Sequence, residues 1–181
     1  MYGLVNKAIK DLVIQGHGQE AWDKICQKVG FHEGDFVGMN PYPDKLTYDF
    51  VGAVSEELGA DPADILEAFG QHWILYTANE GYGDLLDLTG DSFIEFLDNL
   101  DMLHYRINNL MPNLQAPQFV TRNHKENSVE LEYHSHREGL SPMLVGLIKG
   151  LGKRFDLEIK EVKQIEFKSN NDENNVFLIE W

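Results

Sequence analysis

Apolar side chains recur at helical spacing through the first two-thirds of the chain. Leu4, Val5, Ala8, Ile9, Leu12 and Val13 mark one face of a helix over 3–15, stopped by Gly16 and Gly18. Ala21, Trp22, Ile25, Cys26 and Val29 form a second stripe over 19–29, closed by Gly30. The stretch MNPYPDK (39–45) is turn-rich, and Asp44 is placed to cap a third helix running to Gly59. Asp61-Pro62 supplies a cap followed by Pro at the first helical position, opening a helix through about Thr77. A short helix is expected over 82–88. Ser92 with Glu95 three residues on has the pattern of a capping box. The helix it opens carries Phe93, Phe96, Leu97, Leu100, Leu103, Ile107 and Leu110 on its apolar face.

After Pro112 the period changes. Residues 118–123 and 127–136 alternate as strands, and 139–154 form a buried helix rich in Gly. Segments 156–167 and 175–181 read as a closing hairpin around the polar turn KSNNDENN. Helices followed by strands, with one helix inserted, predict an α+β fold rather than a doubly wound sheet. The expected organisation is one domain over 1–181, in two packed subdomains. A helical part covers about 1–60, and a part with further helices and a four-stranded antiparallel sheet covers about 61–181. No repeat, low-complexity tract or linker divides it.

Charge and cysteine content narrow the function. The net charge of −15 repels phosphate backbones and anionic lipid, so neither nucleic acid nor a membrane is expected as a partner. Cys26 is the only cysteine, which excludes an internal disulfide, a cysteine-rich zinc site and C-x-x-C-H haem attachment. Its place on an apolar stripe suits an inert thiol. The first residues are amphipathic and charged throughout, and no segment is apolar enough to span a bilayer, so a cytoplasmic protein is expected. Because the chain ends at Trp181 without an output domain, any output is expected to act in trans. G-x-S-x-G, the phosphate-binding glycine loop, H-E-x-x-H and G-x-G-x-x-G are absent. Gly146, Gly150 and Gly152 lie in a helical pattern, where close helix packing or a flat ligand explains them better than phosphate.

Two features carry chemistry. His104 sits on the apolar face shared by Leu100, Leu103 and Ile107. It is either a core His bonded to a backbone carbonyl, or a metal ligand presented into an apolar cavity as to haem iron. Tyr133, Ser135 and Arg137 alternate, so a strand would put all three on one face. That set is either a solvated polar face or a grip on an anion, such as two propionates at one edge of an apolar macrocycle. His134 and His136 share the opposite face without further ligands in reach.

With these residues in place the whole chain resembles the H-NOX (haem-nitric oxide/oxygen binding) family, which includes the haem domain of soluble guanylate cyclase. Met1, Gly3 and Val5 match the opening M-x-G-x-[IV]. Leu100-Asp101-Met102-Leu103-His104 matches the run before the family's haem-ligating His, and Tyr133, Ser135 and Arg137 match Y-x-S-x-R. The resemblance implies one ferrous haem b per chain, sandwiched between the subdomains, with His104 as axial ligand and metal site. It assigns the propionates to Tyr133, Ser135 and Arg137, and makes Pro117 the residue that distorts the porphyrin. Val5, Trp73, Met143, Leu144 and Leu147 would then line the haem pocket. Oxygen-binding members carry a distal Tyr where this chain aligns Met143. The implied protein is therefore a stand-alone bacterial sensor rather than an enzyme, binding NO (and CO) and excluding O₂ unless Tyr76 or the Trp73 indole reaches in. Its implied partner is a signalling histidine kinase, a cyclic-di-GMP enzyme or a chemotaxis receptor. Two other readings stay open: a peroxidase-like haem enzyme using His72, and a metal-free module for an apolar carboxylate ligand.

Overall fold

A computed structural model describes residues 1–32, 35–111, 114–167 and 174–181. Helix α1 (Gly3–Val29) buries Leu4, Ala8, Ile9 and Val13, then Trp22 and Ile25. The two helices expected here are one run interrupted at Gly18, whose φ of 84° and ψ of 172° break the helical path. Helix α2 spans Asp44–Leu58, but Asp44 does not cap it. Pro43 holds the cap position, and the Asp44 carboxylate instead accepts from the Met1 amino group and from Arg137. Helix α3 (Pro62–Thr77) opens as anticipated, with Asp61 accepting from the Ala63 N–H at 2.8 Å. A π-helical turn, Ala78–Tyr82, leads into the short α4 (Gly83–Asp87).

The long helix expected from Ser92 to Leu110 is broken. Ser92 caps α5 (Phe93–Asp98), accepting from the Glu95 N–H, and Glu95 reaches back to the Asp91 N–H. Asn99 then leaves the helical path with φ −98° and ψ 4°, before α6 (Leu100–Leu110) begins. Its side-chain amide donates to the Thr89 carbonyl at 2.8 Å, a bond outside the helix that favours the turn. Apolar spacing runs unbroken across this point, so periodicity could not reveal it. The Leu110 side chain lies outside the described residues, as do 168–173 of the expected polar turn.

Strands β1 (Gln118–Lys125) and β2 (Ser128–His134) pair antiparallel, with Phe119 opposite Tyr133. Helix α7 (Ser141–Arg154) follows, then β3 (Glu161–Glu166) and β4 (Asn174–Glu180). The sheet order is β1-β2-β4-β3, antiparallel throughout, which gives the expected α+β architecture. β3 starts later than the alternation suggested, because Leu157 is held by the Gly152 carbonyl and Asp156 has a φ of 51°.

Buried residues form two clusters. The first gathers Ile9, Val13, Trp22, Phe50, Phe69 and Tyr76 from α1 to α3. The second gathers Phe96, Leu103, Phe119, Leu131, Leu144, Ile148 and Phe177 from α5, α6, α7 and the sheet. They meet where α3 packs on α7, nearly backbone to backbone. A Cβ added at Gly70 would sit 2.2 Å from the Met143 carbonyl oxygen, and one at Gly146 would sit 2.0 Å from that of Glu67. Lys149–Glu67 at 2.6 Å and Lys153–Gln71 at 2.9 Å flank the seam.

Gly146→Ala should therefore lower stability by about 1–3 kcal/mol, the usual cost of overpacking. Gly16→Ala, in a helix with nothing within 4 Å of the new Cβ, should raise it by about 0.5–1 kcal/mol. Urea unfolding of both variants measures the contrast.

Candidate functional site

Between the two clusters lies a cavity of about 290 Å³. Its lining draws on every layer: Val5 and Ile9 of α1, Phe69 and Trp73 of α3, and Met143, Leu144 and Leu147 of α7. Leu100, His104 and Ile107 of α6 join Pro117 and Phe119 at the start of β1, with Tyr133, Ser135 and Arg137. The residues that the resemblance assigns to a haem and its pocket all line this one space.

His104 is the chemically distinctive member. Burial lowers the pKa of its imidazole below the ordinary 6.5, and Asp101, one turn away, pulls it back only in part. Its ring stacks on Phe119, with centroids 5.5 Å apart and planes 20° off parallel. Nδ1 is buried and has no hydrogen-bond partner among the described residues. A core His satisfied at Nδ1 by a backbone carbonyl is therefore not what the structure contains. Leaving such a group unpaired costs roughly 1–3 kcal/mol, a cost expected at a site built for something else. Position and orientation come from Asp101, whose Oδ1 accepts from the Phe119 N–H at 2.7 Å and ties α6 to β1.

Tyr133, Ser135 and Arg137 converge for a different reason than strand alternation. β2 stops at His134, so Ser135 and Arg137 are not on a strand face. A local turn gathers them: the Arg137 N–H donates to Ser135 Oγ at 3.1 Å, the short side-chain bond that Ser favours outside strands. Tyr133 and Ser135 are hydrogen-bonded, and burial raises the Tyr133 pKa against the opposing pull of that bond and of Arg137. The guanidinium donates from Nε to Asp44 at 2.8 Å and from Nη1 to the Gln115 carbonyl at 2.6 Å. Burial works against ionising Asp44, but the Met1 amino group and Arg137 outweigh it and lower its pKa. The sequence pointed to Asp44 only as a cap, and gave no sign of Gln115 or Tyr48, which also line the cavity.

Other candidates fall away. Tyr76 does not line the cavity; it is buried in the first cluster, with its hydroxyl pushed up to about 12, chiefly by burial. His72 does not line it either, and its Nε2 lies 3.0 Å from Asp11 Oδ2, so the peroxidase-like reading loses its acid–base residue. His134 sits 3.5 Å from Glu132, and no cluster of three metal-binding side chains occurs among the described residues. No described helix is long and apolar enough to cross a membrane.

An apolar cavity, one imidazole whose Nδ1 has no partner among the described residues, and a strand end and turn that bring Tyr133, Ser135 and Arg137 donors together suit haem. The imidazole is in its ligating form, and the guanidinium and hydroxyls suit two carboxylates. The fold and cavity thus define a haem-pocket protein of α+β class. The chain belongs to the haem-NO-binding (H-NOX) family of haem-binding gas sensors, whose model matches residues 2–163. Soluble guanylate cyclase gcy-32 of Caenorhabditis elegans is 33% identical over 168 residues, covering 91% of this chain and 25% of its own length. Soluble guanylate cyclase 89Db of Drosophila melanogaster is 30% identical over 155 residues, covering 86% and 23%. The chain thus spans about a quarter of these relatives. An H-NOX protein from S. oneidensis in the Fe(II)NO ligation state superposes with TM-score 0.87 at 22% identity, over 99% of this chain and 98% of that one. An oxygen-binding H-NOX domain in its oxygen complex gives 0.83 at 20%, over 99% and 94%.

The lowered pKa of His104 has a sign that can be checked. Well above pH 6.5 the ring is neutral folded or unfolded. As pH falls below that value the unfolded chain binds the proton first, and stability drops until the folded pKa is reached. In the apoprotein, urea titrations should show this extra acid-side slope, and His104→Leu should remove it.

Proposed function

We propose that this protein is a nitric oxide sensor, holding one ferrous haem b through His104 and passing the change to a partner protein. The observation that carries the reading is the half-buried His104 ring, its buried Nδ1 without a partner among the described residues, set in the lining of an apolar cavity that the Arg137 turn also lines. Ferrous haem supplies an iron that binds diatomic gases. His104 would supply an imidazole ligand to that iron. Tyr133, Ser135 and Arg137 hold the propionates, with Arg137 redistributing donors now given to Asp44 and the Gln115 carbonyl. Pro117, just before β1, would bear on the macrocycle from the cavity lining.

Gas selectivity follows from the donors. Bound O₂ draws negative charge to its outer oxygen and is stabilised by a buried donor, which NO does not need. Val5, Met143, Leu144 and Leu147 offer none. Thr47, Thr77 and Tyr82 line the cavity, but each hydroxyl donates elsewhere: to Asn6 Oδ1, the Trp73 carbonyl and Met39 Sδ. The Trp73 indole, which lines the same cavity, is a further candidate donor. The helix that carries His104 is tied to Phe119 through Asp101 and to Thr89 through Asn99, so these two bonds would carry a change at His104 into the rest of the fold. The partner must bind the two states with different free energy. The resemblance points to a signalling histidine kinase, a cyclic-di-GMP enzyme or a chemotaxis receptor.

An anaerobic absorption spectrum of the reduced protein tests this. A Soret band that shifts with NO and stays put in air, and that changes in His104→Gly, is the expected result. An oxy spectrum in air overturns O₂ exclusion, and Trp73→Phe then tests the indole as the donor. Met143→Tyr should create O₂ binding, since one donor to a charged oxygen is worth about 1.5–3 kcal/mol, roughly ten- to a hundredfold in O₂ dissociation rate.

A further inference from the structure

Helix α2 presents two polar side chains one turn apart, Asp44 and Tyr48, on the same face. Both bond to consecutive residues of the turn that leads from β2 into α7. Asp44 accepts from Arg137, and the Tyr48 hydroxyl donates to the Glu138 carbonyl at 3.0 Å. The first partner of each pair sits on a helix of the first buried cluster, and the second lies between two elements of the other. Tyr48, Ser135, Arg137 and Leu140 all line the cavity, so the two bonds join the bodies along its margin. Tyr48 is 37% exposed, which places this margin against solvent. Gly139, next to Glu138, has a φ of 75° and nothing within 4 Å of a Cβ position, so no packed side chain holds the turn there. Burial, and then the Asp44 charge, raise the Tyr48 pKa, keeping the hydroxyl a donor.

The two bonds respond differently to a bound carboxylate. A propionate at Arg137 competes with Asp44 for the same guanidinium. It does not compete for the Tyr48–Glu138 bond, whose acceptor is a backbone carbonyl. We propose that Tyr48 is a retention residue: its hydroxyl clasps the Glu138 carbonyl and holds the turn against α2 while Arg137 is turned over to the haem carboxylates. The inference rests on the haem reading above. It adds a positioning residue that does not touch the iron, and it separates the grip on the ligand from the closure of the cavity.

Two measurements on Tyr48→Phe test it, with Tyr105→Phe as an exposed hydroxyl deletion on α6 for comparison. In the ferric holoprotein, haem transfer to excess apomyoglobin should quicken about two- to tenfold for Tyr48→Phe, the range of one neutral hydrogen bond. Its ferrous and NO spectra should stay unchanged. In the apoprotein, amide exchange should rise over residues 135–140 and stay unchanged in α1 and β4, which separates a loosened turn from a loosened fold. Unchanged haem loss together with unchanged exchange at 135–140 overturns the clasp, as does a rise spread evenly over the chain. A protein that takes up no haem sinks the haem reading instead, and the exchange arm still decides whether Tyr48 holds the turn.

Discussion

The close crossing of α3 on α7 is the contact on which the rest of the structure depends. Peptide groups of the two helices approach to distances that leave no room for a Cβ at Gly70 or Gly146. Each helix therefore faces two ways. α3 gives Phe69 and Tyr76 to the first cluster, α7 gives Leu144, Ile148 and Leu151 to the second, and both send side chains to the shared cavity. A larger residue at the seam would drive the bodies apart at the point where they define the pocket. The bodies are joined a second time where Asp44 and Tyr48 of α2 bond to the turn at Arg137 and Glu138.

Around that seam, polar bonds place the chemistry. Asp101, Asn99 and Asp98 anchor the junction of α5 and α6 to the Phe119 N–H, the Thr89 carbonyl and the Thr121 hydroxyl. The helix carrying His104 is thus held at its base, while its imidazole is left without an Nδ1 partner. Asp44 and Tyr48 hold the Arg137 turn from the other body. Charge is concentrated at this margin, and the remaining lining is largely apolar. That division suits a ligand with an apolar plane and an anionic edge. The family match and the H-NOX fold agree with that division.

Much of this was legible along the chain where the signal was local. Asp61-Pro62, Ser92 with Glu95, and the switch from period 3.6 to period 2 marked elements that formed as expected, because caps and periodicity act within one turn. His104 and the Tyr133, Ser135 and Arg137 set were legible as residue types at a spacing. Strand alternation is not what gathers the second set: the strand ends at His134, and a Ser-stabilised turn brings Arg137 round. The break at Asn99 was invisible because its cause, the Thr89 carbonyl, lies ten residues away.

The amino-acid sequence by itself determined the α+β class, most of the helices and strands, and which side chains could bind a metal and an anion. Tertiary structure alone decided that these residues share one cavity. It also decided that Tyr76 and His72 stay out of it, that Asp44 serves Arg137 rather than its own helix, and that Tyr48 reaches Glu138. The physical reason is range. Helical and strand periodicity and capping are settled among neighbours in the chain. The Tyr48–Glu138 and Asp44–Arg137 bonds span separations of 90 and 93 residues and exist only once the two bodies have packed.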